Sequence, residues 1–148
     1  MKISLTIKIT IFYLFVTTQV IAAQTSYFDK GKTLYESKKY DKSRIFFERD
    51  IVFNPLSEKS YLFLAKIFKK NENDEEEEIN LNNVMLINPK NDEAIYMLML
   101  LKINQSDYKK TKELLVQFNL VCKSFCTKED EIKKKLNKLN PENEKNKN

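Results

Sequence analysis

Apolar side chains recur at intervals of three and four residues along most of the chain, as they do on one face of an α-helix. The first such stripe consists of Tyr27, Gly31 and Leu34, and a second stripe runs from Ile45 to Phe53. Polar residues separate the two stripes, so a turn is predicted near positions 38–41. Alternating apolar and polar runs bounded by turn residues, which would indicate β-strands, do not occur. The pattern predicts an all-α fold built from pairs of helices.

This pair of stripes repeats along the chain with a constant period. Asn54-Pro55 recurs as Asn88-Pro89, and each dipeptide closes a predicted pair because proline cannot continue a helix. The same period places polar turns around residues 71–74 and 106–108. A period of about 34 residues is that of a helix-turn-helix repeat. It predicts three units, at about residues 24–57, 58–91 and 92–121.

The repeat resembles the tetratricopeptide repeat (TPR) family over roughly residues 25–121. That family has a bulky residue early in the first helix of each unit and a Gly or Ala four residues later. Small and aromatic residues follow in the second helix, and Pro closes the unit. The matching residues here are Tyr27, Gly31, Ser43, Phe47 and Pro55 in the first unit, and Tyr61, Ala65, Leu81 and Pro89 in the second. The resemblance implies a right-handed stack of about three helical hairpins.

Some positions depart from the family's pattern. Asp50 and Glu77 stand where small residues are expected, and a buried carboxylate without a partner is costly. Met99 replaces Gly or Ala in the third unit, and no Pro ends that unit. These changes are expected to affect details of the packing and to leave the fold intact.

The N-terminal segment is expected to lie outside the repeats. Lys2 precedes an apolar run from Ile9 to Ile21, and the small residues Ala22-Ala23 follow this run. This arrangement predicts a secretory signal peptide over residues 1–23, and cleavage after either alanine fits equally well. The alternative is an uncleaved membrane anchor, although the run is shorter than the roughly 20 apolar residues that a span needs. The predicted location is the bacterial periplasm or the exterior.

The C-terminal segment is expected to close the stack. Residues 122–140 are predicted to form a turn and a capping helix, with Ile132, Leu136 and Leu139 on its apolar side. Residues 141–148 contain polar and charged residues with one Pro, so a disordered tail is predicted there.

Composition argues against several classes of activity. The 148-residue chain has no His and one Gly, which removes the usual general base, most zinc sites and glycine-rich phosphate loops. Loss of the two lysines of the signal peptide lowers the net charge from +5 to about +3, which is too mild to argue for nucleic acid. The acidic run Asp74–Glu78 suits a helix start, with a metal or a basic partner as the weaker alternative. No catalytic residue, cofactor or metal is expected.

Cys122 and Cys126 are the only cysteines. An exported chain is expected to pair them, but residues four apart on a helix have Cβ atoms roughly 5–6 Å apart, against about 3.8 Å in a disulfide. A bridge therefore requires the segment between them to be a turn. A structural clip is favoured, and free thiols or a redox-active pair are the alternatives.

The resemblance also implies a binding surface on the concave side, formed by exposed positions of the first helix of each unit. The predicted peptide-binding residues are Lys32, Tyr35, Lys59, Leu62, Lys66, Lys69, Tyr96 and Leu100. Lysines flanked by aromatic and aliphatic residues suit an acidic or C-terminal peptide with apolar anchors. An ordinary solvated face explains the lysines equally well.

The predicted function is therefore a non-catalytic adaptor or scaffold that binds a segment of an envelope protein through its concave face. Two alternatives belong to other classes: a thiol-redox-responsive protein that uses the two cysteines, and a structural subunit of a larger envelope assembly. Contact with a membrane is expected only through an uncleaved signal segment.

Overall fold

A computed structural model describes residues 27–139, and every regular element in that range is helical. The all-α prediction is therefore confirmed for this part of the chain. The predicted signal peptide (1–23) and C-terminal tail (141–148) lie outside the described residues. The elements are α1 (described over residues 27–36), α2 (Tyr40–Phe53), α3 (Glu58–Lys70), α4 (Asp74–Ile87), α5 (Asp92–Asn104), α6 (Tyr108–Val121), a 3₁₀-helix (Cys126–Lys128) and α7 (Glu129–Leu139).

The chain divides into two compact units, Met1–Phe63 and Leu64–Asn148. The described part of the first unit contains α1, α2 and the start of α3. In the second unit α5 packs against both α4 and α6, and α7 contacts α5 and α6. Ile132 and Leu136 of α7 are buried, so this helix covers part of the last helical pair with the apolar side that the sequence predicts.

The helix boundaries recur with the period of the sequence pattern. The second helix of each pair begins at Tyr40, Asp74 and Tyr108, and α3 and α5 begin at Glu58 and Asp92. The residue that follows each second helix, Asn54, Asn88 or Cys122, donates its backbone N–H to the carbonyl four residues earlier. The period read from the apolar pattern is therefore present in the backbone itself.

The turns inside the pairs share one geometry. Each has a residue with a positive φ at the same position of the repeat, namely Lys38 (59°), Glu72 (54°) and Ser106 (60°). At the first turn the N–H of Lys39 donates to the Leu34 carbonyl at 2.9 Å, and the N–H of Lys38 donates to the Tyr35 carbonyl at 2.9 Å. This is the Schellman arrangement that ends many helices, usually at a glycine. Here residues with side chains occupy the left-handed position at all three turns.

Gly31 explains how closely α1 and α2 approach. A Cβ atom at this position would lie 2.8 Å from the ring of Phe47, which is fully buried and stacked on Phe63. The hydroxyl of Ser43 donates to the Gly31 carbonyl at 2.7 Å across the same contact. The two small residues shared with the TPR pattern therefore lie at the closest contact of this pair.

Asp50 is buried, and its carboxylate has partners. Its Oδ2 accepts hydrogen bonds from the hydroxyls of Ser57 at 2.6 Å and Ser60 at 2.5 Å. Hydrogen bonds to a carboxylate offset part of the cost of removing it from water. The departure from a small residue is thus accommodated by two serines after the end of α2.

The second unit has the larger apolar core. Met99, which replaces the expected small residue, is fully buried within it. The buried apolar residues of this unit are Leu64, Ala65, Ile67, Phe68, Leu81, Val84, Ala94, Ile95, Met97, Leu98, Met99, Leu101, Ile103, Leu114, Phe118, Ile132 and Leu136.

Candidate binding surface

The candidate lysines of the first unit are accessible. Lys32 is exposed on α1 and lies 3.9 Å from the carboxylate of Glu36 one turn later. Lys59 is exposed on α3, and its Nζ lies 6.0 Å from the ring centroid of Phe28. Ion pairs with this exposure contribute at most about 1 kcal/mol, so a ligand can displace them at small cost.

The candidate apolar residues of the first unit are engaged in packing. The half-buried ring of Tyr35 makes edge-on contacts with Tyr40 and Phe63, with centroids 5.2 and 4.9 Å away. Leu62 is 9% exposed and leaves little surface for a ligand. The TPR resemblance placed Leu62 on the binding face, and the structure places it in the core.

The candidate lysines of the second unit lie beside carboxylates that the prediction did not pair with them. Lys66 Nζ lies 2.8 Å from Glu93 on α5, and both side chains are about three-quarters buried. Lys69 Nζ lies 3.9 Å from Oε1 of Glu77 on α4. An acidic ligand at these lysines therefore has to compete with groups of the protein itself.

Glu77 is the least satisfied of these groups. Its side chain is 3% exposed, and within the described residues its Oε1 atom has no hydrogen-bond donor. Burial raises the pKa of Glu77 to about 7, and Asp74 acts in the same direction, while Lys69 lowers it. The ammonium group of Lys69 compensates incompletely because it is 3.9 Å away and partly in solvent.

Tyr96 is engaged with the C-terminal helix. Its hydroxyl donates to Oε2 of Glu131 at 2.9 Å, and its ring lies 5.7 Å from that of Phe125. Burial and the hydrogen bond to Glu131 raise the pKa of Tyr96 to about 12. Leu100, one turn later on α5, is half-buried and retains part of its surface.

The sulfur atoms of Cys122 and Cys126 are at disulfide distance, with Cα atoms 5.3 Å apart. Residues 122–125 lie between the end of α6 and the 3₁₀-helix and are not helical, as a bridge between these cysteines requires. The sequence prediction of a bridged turn is confirmed.

The bridged turn binds a carboxylate that the sequence did not single out. Oδ2 of Asp92 accepts hydrogen bonds from the backbone N–H groups of Lys123 (2.7 Å), Ser124 (2.6 Å) and Phe125 (3.0 Å). Burial acts to raise the pKa of Asp92, but these backbone donors outweigh it and lower the pKa. The turn is therefore attached to the first residue of α5. Such a nest of consecutive N–H groups is an anion site, and here the protein fills it itself.

The described range contains no cluster of side chains suited to a metal ion. Among residues 27–139, no group of three or more Cys, Asp or Glu side chains gathers where it would hold a metal ion. The chain has no His to serve as a base.

Comparison with known proteins adds no family to this description. No protein-family model matches the chain, and no curated protein sequence is similar to it at a significant level. None of the helices within residues 27–139 has both the length and the apolar character that crossing a membrane requires. The inference of function therefore depends on the residues and their geometry.

Proposed function

We propose that this protein is a non-catalytic adaptor or scaffold of the bacterial envelope, whose helical hairpins form a right-handed stack of the TPR type and hold a segment of another protein. The observation that carries the proposal is the regular recurrence of helix starts, positive-φ turns and helix ends. Repeats of this kind stack because one hairpin cannot bury its apolar faces alone, and their first helices line an extended surface.

The residues proposed to contact the partner are the exposed first-helix lysines Lys32, Lys59 and Lys69, with the partly buried Lys66 and Leu100. The preferred partner has carboxylates for the lysines and an apolar side chain for Leu100. Lys66 is already paired with Glu93, so a carboxylate of the partner binds Lys66 by displacing the carboxylate of Glu93. A bridged cysteine pair is consistent with export to an oxidising compartment.

Site-specific photo-crosslinking in the native envelope tests this face. Photoreactive residues replace Lys59 and Lys69, which are exposed, so that the Lys66–Glu93 pair stays intact. The control probe replaces Lys112, an exposed residue of α6. A discrete adduct with another protein from positions 59 and 69 and none from 112 is the expected result. Adducts from position 112 alone, or from no position, would rule out the first-helix face.

A second candidate function, a structural subunit of an envelope assembly, is favoured by exposed apolar residues that recur in the repeats. Val52, Leu86 and Leu120 are 75%, 82% and 81% exposed and occupy the same position of successive repeats, near the ends of α2, α4 and α6. Exposed apolar side chains mark an interaction surface when they form a contiguous patch, which an assembly of repeats would bury. Replacement of all three by Ser is expected to abolish association in sedimentation velocity if this candidate is right. A wild-type protein that sediments as a monomer, like the triple variant, would argue against this candidate.

A further inference from the structure

A groove of about 540 Å³ lies between α1 and α2 in the first unit. Its apolar surface is provided by Leu34 and Phe46, both half-buried. Its rim consists of Asp29, Lys30, Thr33 and Lys42. None of these residues belongs to the first-helix face proposed above.

The repeat allows the groove to be compared with the equivalent positions of the third repeat. Two repeats later, the positions of Lys30, Thr33 and Phe46 are occupied by Leu98, Leu101 and Leu114, which are 3%, 1% and 5% exposed. The position of Leu34 is occupied by Lys102, which forms an ion pair with Glu78 of α4. Leu98 lies four residues before Lys102 and hence on the same side of α5. In the second unit the face is therefore covered by a helix, α4, that packs against α5.

The groove differs from that covered face in its charge. Lys30 Nζ and the guanidinium carbon of Arg49 lie 5.9 and 6.0 Å from the ring centroid of Phe46. Lys42 is exposed on the rim, and within the described residues neither Lys30 nor Lys42 is in an ion pair. The lining itself holds two cations, Lys30 and Lys42, and one carboxylate, that of Asp29. The apolar surface is thus framed by a net positive charge, which suits reversible contact with an acidic partner.

We propose that the α1/α2 groove binds an amphipathic helix of another protein, with acidic side chains on Lys30 and Lys42 and apolar side chains over Leu34 and Phe46. The proposal does not rest on the binding face described under the proposed function. In the second unit α4 is an example of an acidic helix that packs on the equivalent helix, α5. It begins with five acidic residues, Asp74–Glu78, and its Glu78 pairs with Lys102, which has the register of Leu34.

The test uses a probe based on that example, a stapled and fluorescently labelled peptide with the sequence of α4, residues 74–87. Fluorescence anisotropy measures its binding to the native protein. The variant Lys30→Glu with Lys42→Glu is expected to weaken binding about tenfold, because two partly desolvated ion pairs become repulsive. The matched control, Lys109→Glu with Lys110→Glu, makes the same change in net charge on α6, and Lys110 has the register of Lys42. It is expected to leave the affinity unchanged.

Several outcomes would overturn the proposal. They are absence of saturable binding, equal weakening by both variants, or peptide-induced amide shifts that omit Leu34 and Phe46 in NMR spectra of the unaltered protein. A dimer that dissociates in the Lys30→Glu, Lys42→Glu variant would assign the groove to a second copy of the chain and would overturn it as well. The NMR mapping needs no substitution, so it stands even if a variant fails to fold.

Discussion

Glu77 predicts an unusual dependence of stability on pH. Its carboxyl group is buried on α4 with Lys69 at 3.9 Å, and its pKa in the folded state is about 7, against an ordinary value of 4.5. Below about pH 4.5 the group is protonated in both the folded and unfolded states and contributes nothing. Between about pH 4.5 and 7 the unfolded chain ionises first, so the free energy of unfolding falls as the pH rises. Above about pH 7 the loss is complete.

The size of the loss follows from the two pKa values. At about 1.4 kcal/mol for each pKa unit, the difference between 4.5 and about 7 corresponds to about 3 kcal/mol. That is a large part of the roughly 5–15 kcal/mol by which domains are typically stable. The chain has no His, the side chain whose ordinary pKa lies between about pH 5 and 8. A change of stability in this range therefore points to Glu77.

The perturbation is Glu77→Gln, which has nearly the shape of the protonated acid and cannot ionise. Urea unfolding followed by circular dichroism is measured at about pH 5, 6.5 and 8. The variant is expected to exceed the wild type by less than about 1 kcal/mol at about pH 5 and by about 3 kcal/mol at about pH 8, where the wild type has lost stability.

The matched control is Glu75→Gln, on the exposed side of the same helical turn. It removes a favourable charge at a helix N-terminus and is expected to destabilise by at most about 1 kcal/mol, with the pH dependence retained. A wild type equally stable at about pH 5 and 8, or a Glu77→Gln variant that is no more stable than the wild type at about pH 8, would refute the reasoning.

Three further substitutions test the packing and the bridged turn. Gly31→Ala should destabilise by about 1–3 kcal/mol, since the new methyl group meets the buried ring of Phe47 at 2.8 Å; thermal unfolding measures it. Asp50→Ala should cost about 2–4 kcal/mol in urea unfolding, because it leaves a cavity and removes the acceptor of two serine hydroxyls. Cys122→Ser with Cys126→Ser should cost about 2 kcal/mol, the chain-entropy value for so short a loop, and should raise hydrogen exchange in the turn.

Each of these substitutions has a contrasting measurement. Thr33→Ala, on the exposed part of α1, should change stability by less than about 0.5 kcal/mol, so an equal effect there would contradict the clash at Gly31. Asp50→Asn retains one acceptor oxygen and should cost less than the Ala variant. Reduction of the wild-type protein should reproduce the Cys122/Cys126 double variant, and unchanged exchange in the turn after reduction would contradict its dependence on the bridge.

The elements of this fold were largely predictable from local pattern. Apolar periodicity and the two Asn-Pro dipeptides indicate the helices and their common period, because both signals act within one or two helical turns. The geometry of the turns was not predictable from residue type. Lys38, Glu72 and Ser106 adopt the left-handed conformation without the glycine that normally marks it.

The residue types of the candidate surface were predictable, but the groups of the protein that contact them were not. Periodicity put Lys66 on the first-helix face, but the carboxylate that meets it belongs to Glu93, a helix and two connections later. Tyr96 was expected to be available for a ligand, and α7 engages it through Glu131. Contacts between residues far apart in the chain depend on how helices pack, which the spacing of apolar residues within one helix does not specify.

The sequence by itself indicated the pairs of helices, the approximate positions of their turns, their common period, and a turn at the cysteine pair. The tertiary structure decided which groups surround three acidic side chains. Asp50 has two serine donors, Asp92 has three backbone donors, and Glu77 has a distant lysine and no hydrogen bond to Oε1. All three are carboxylates on or at the end of helices, and only the groups packed around each one set the cost of its burial and its pKa.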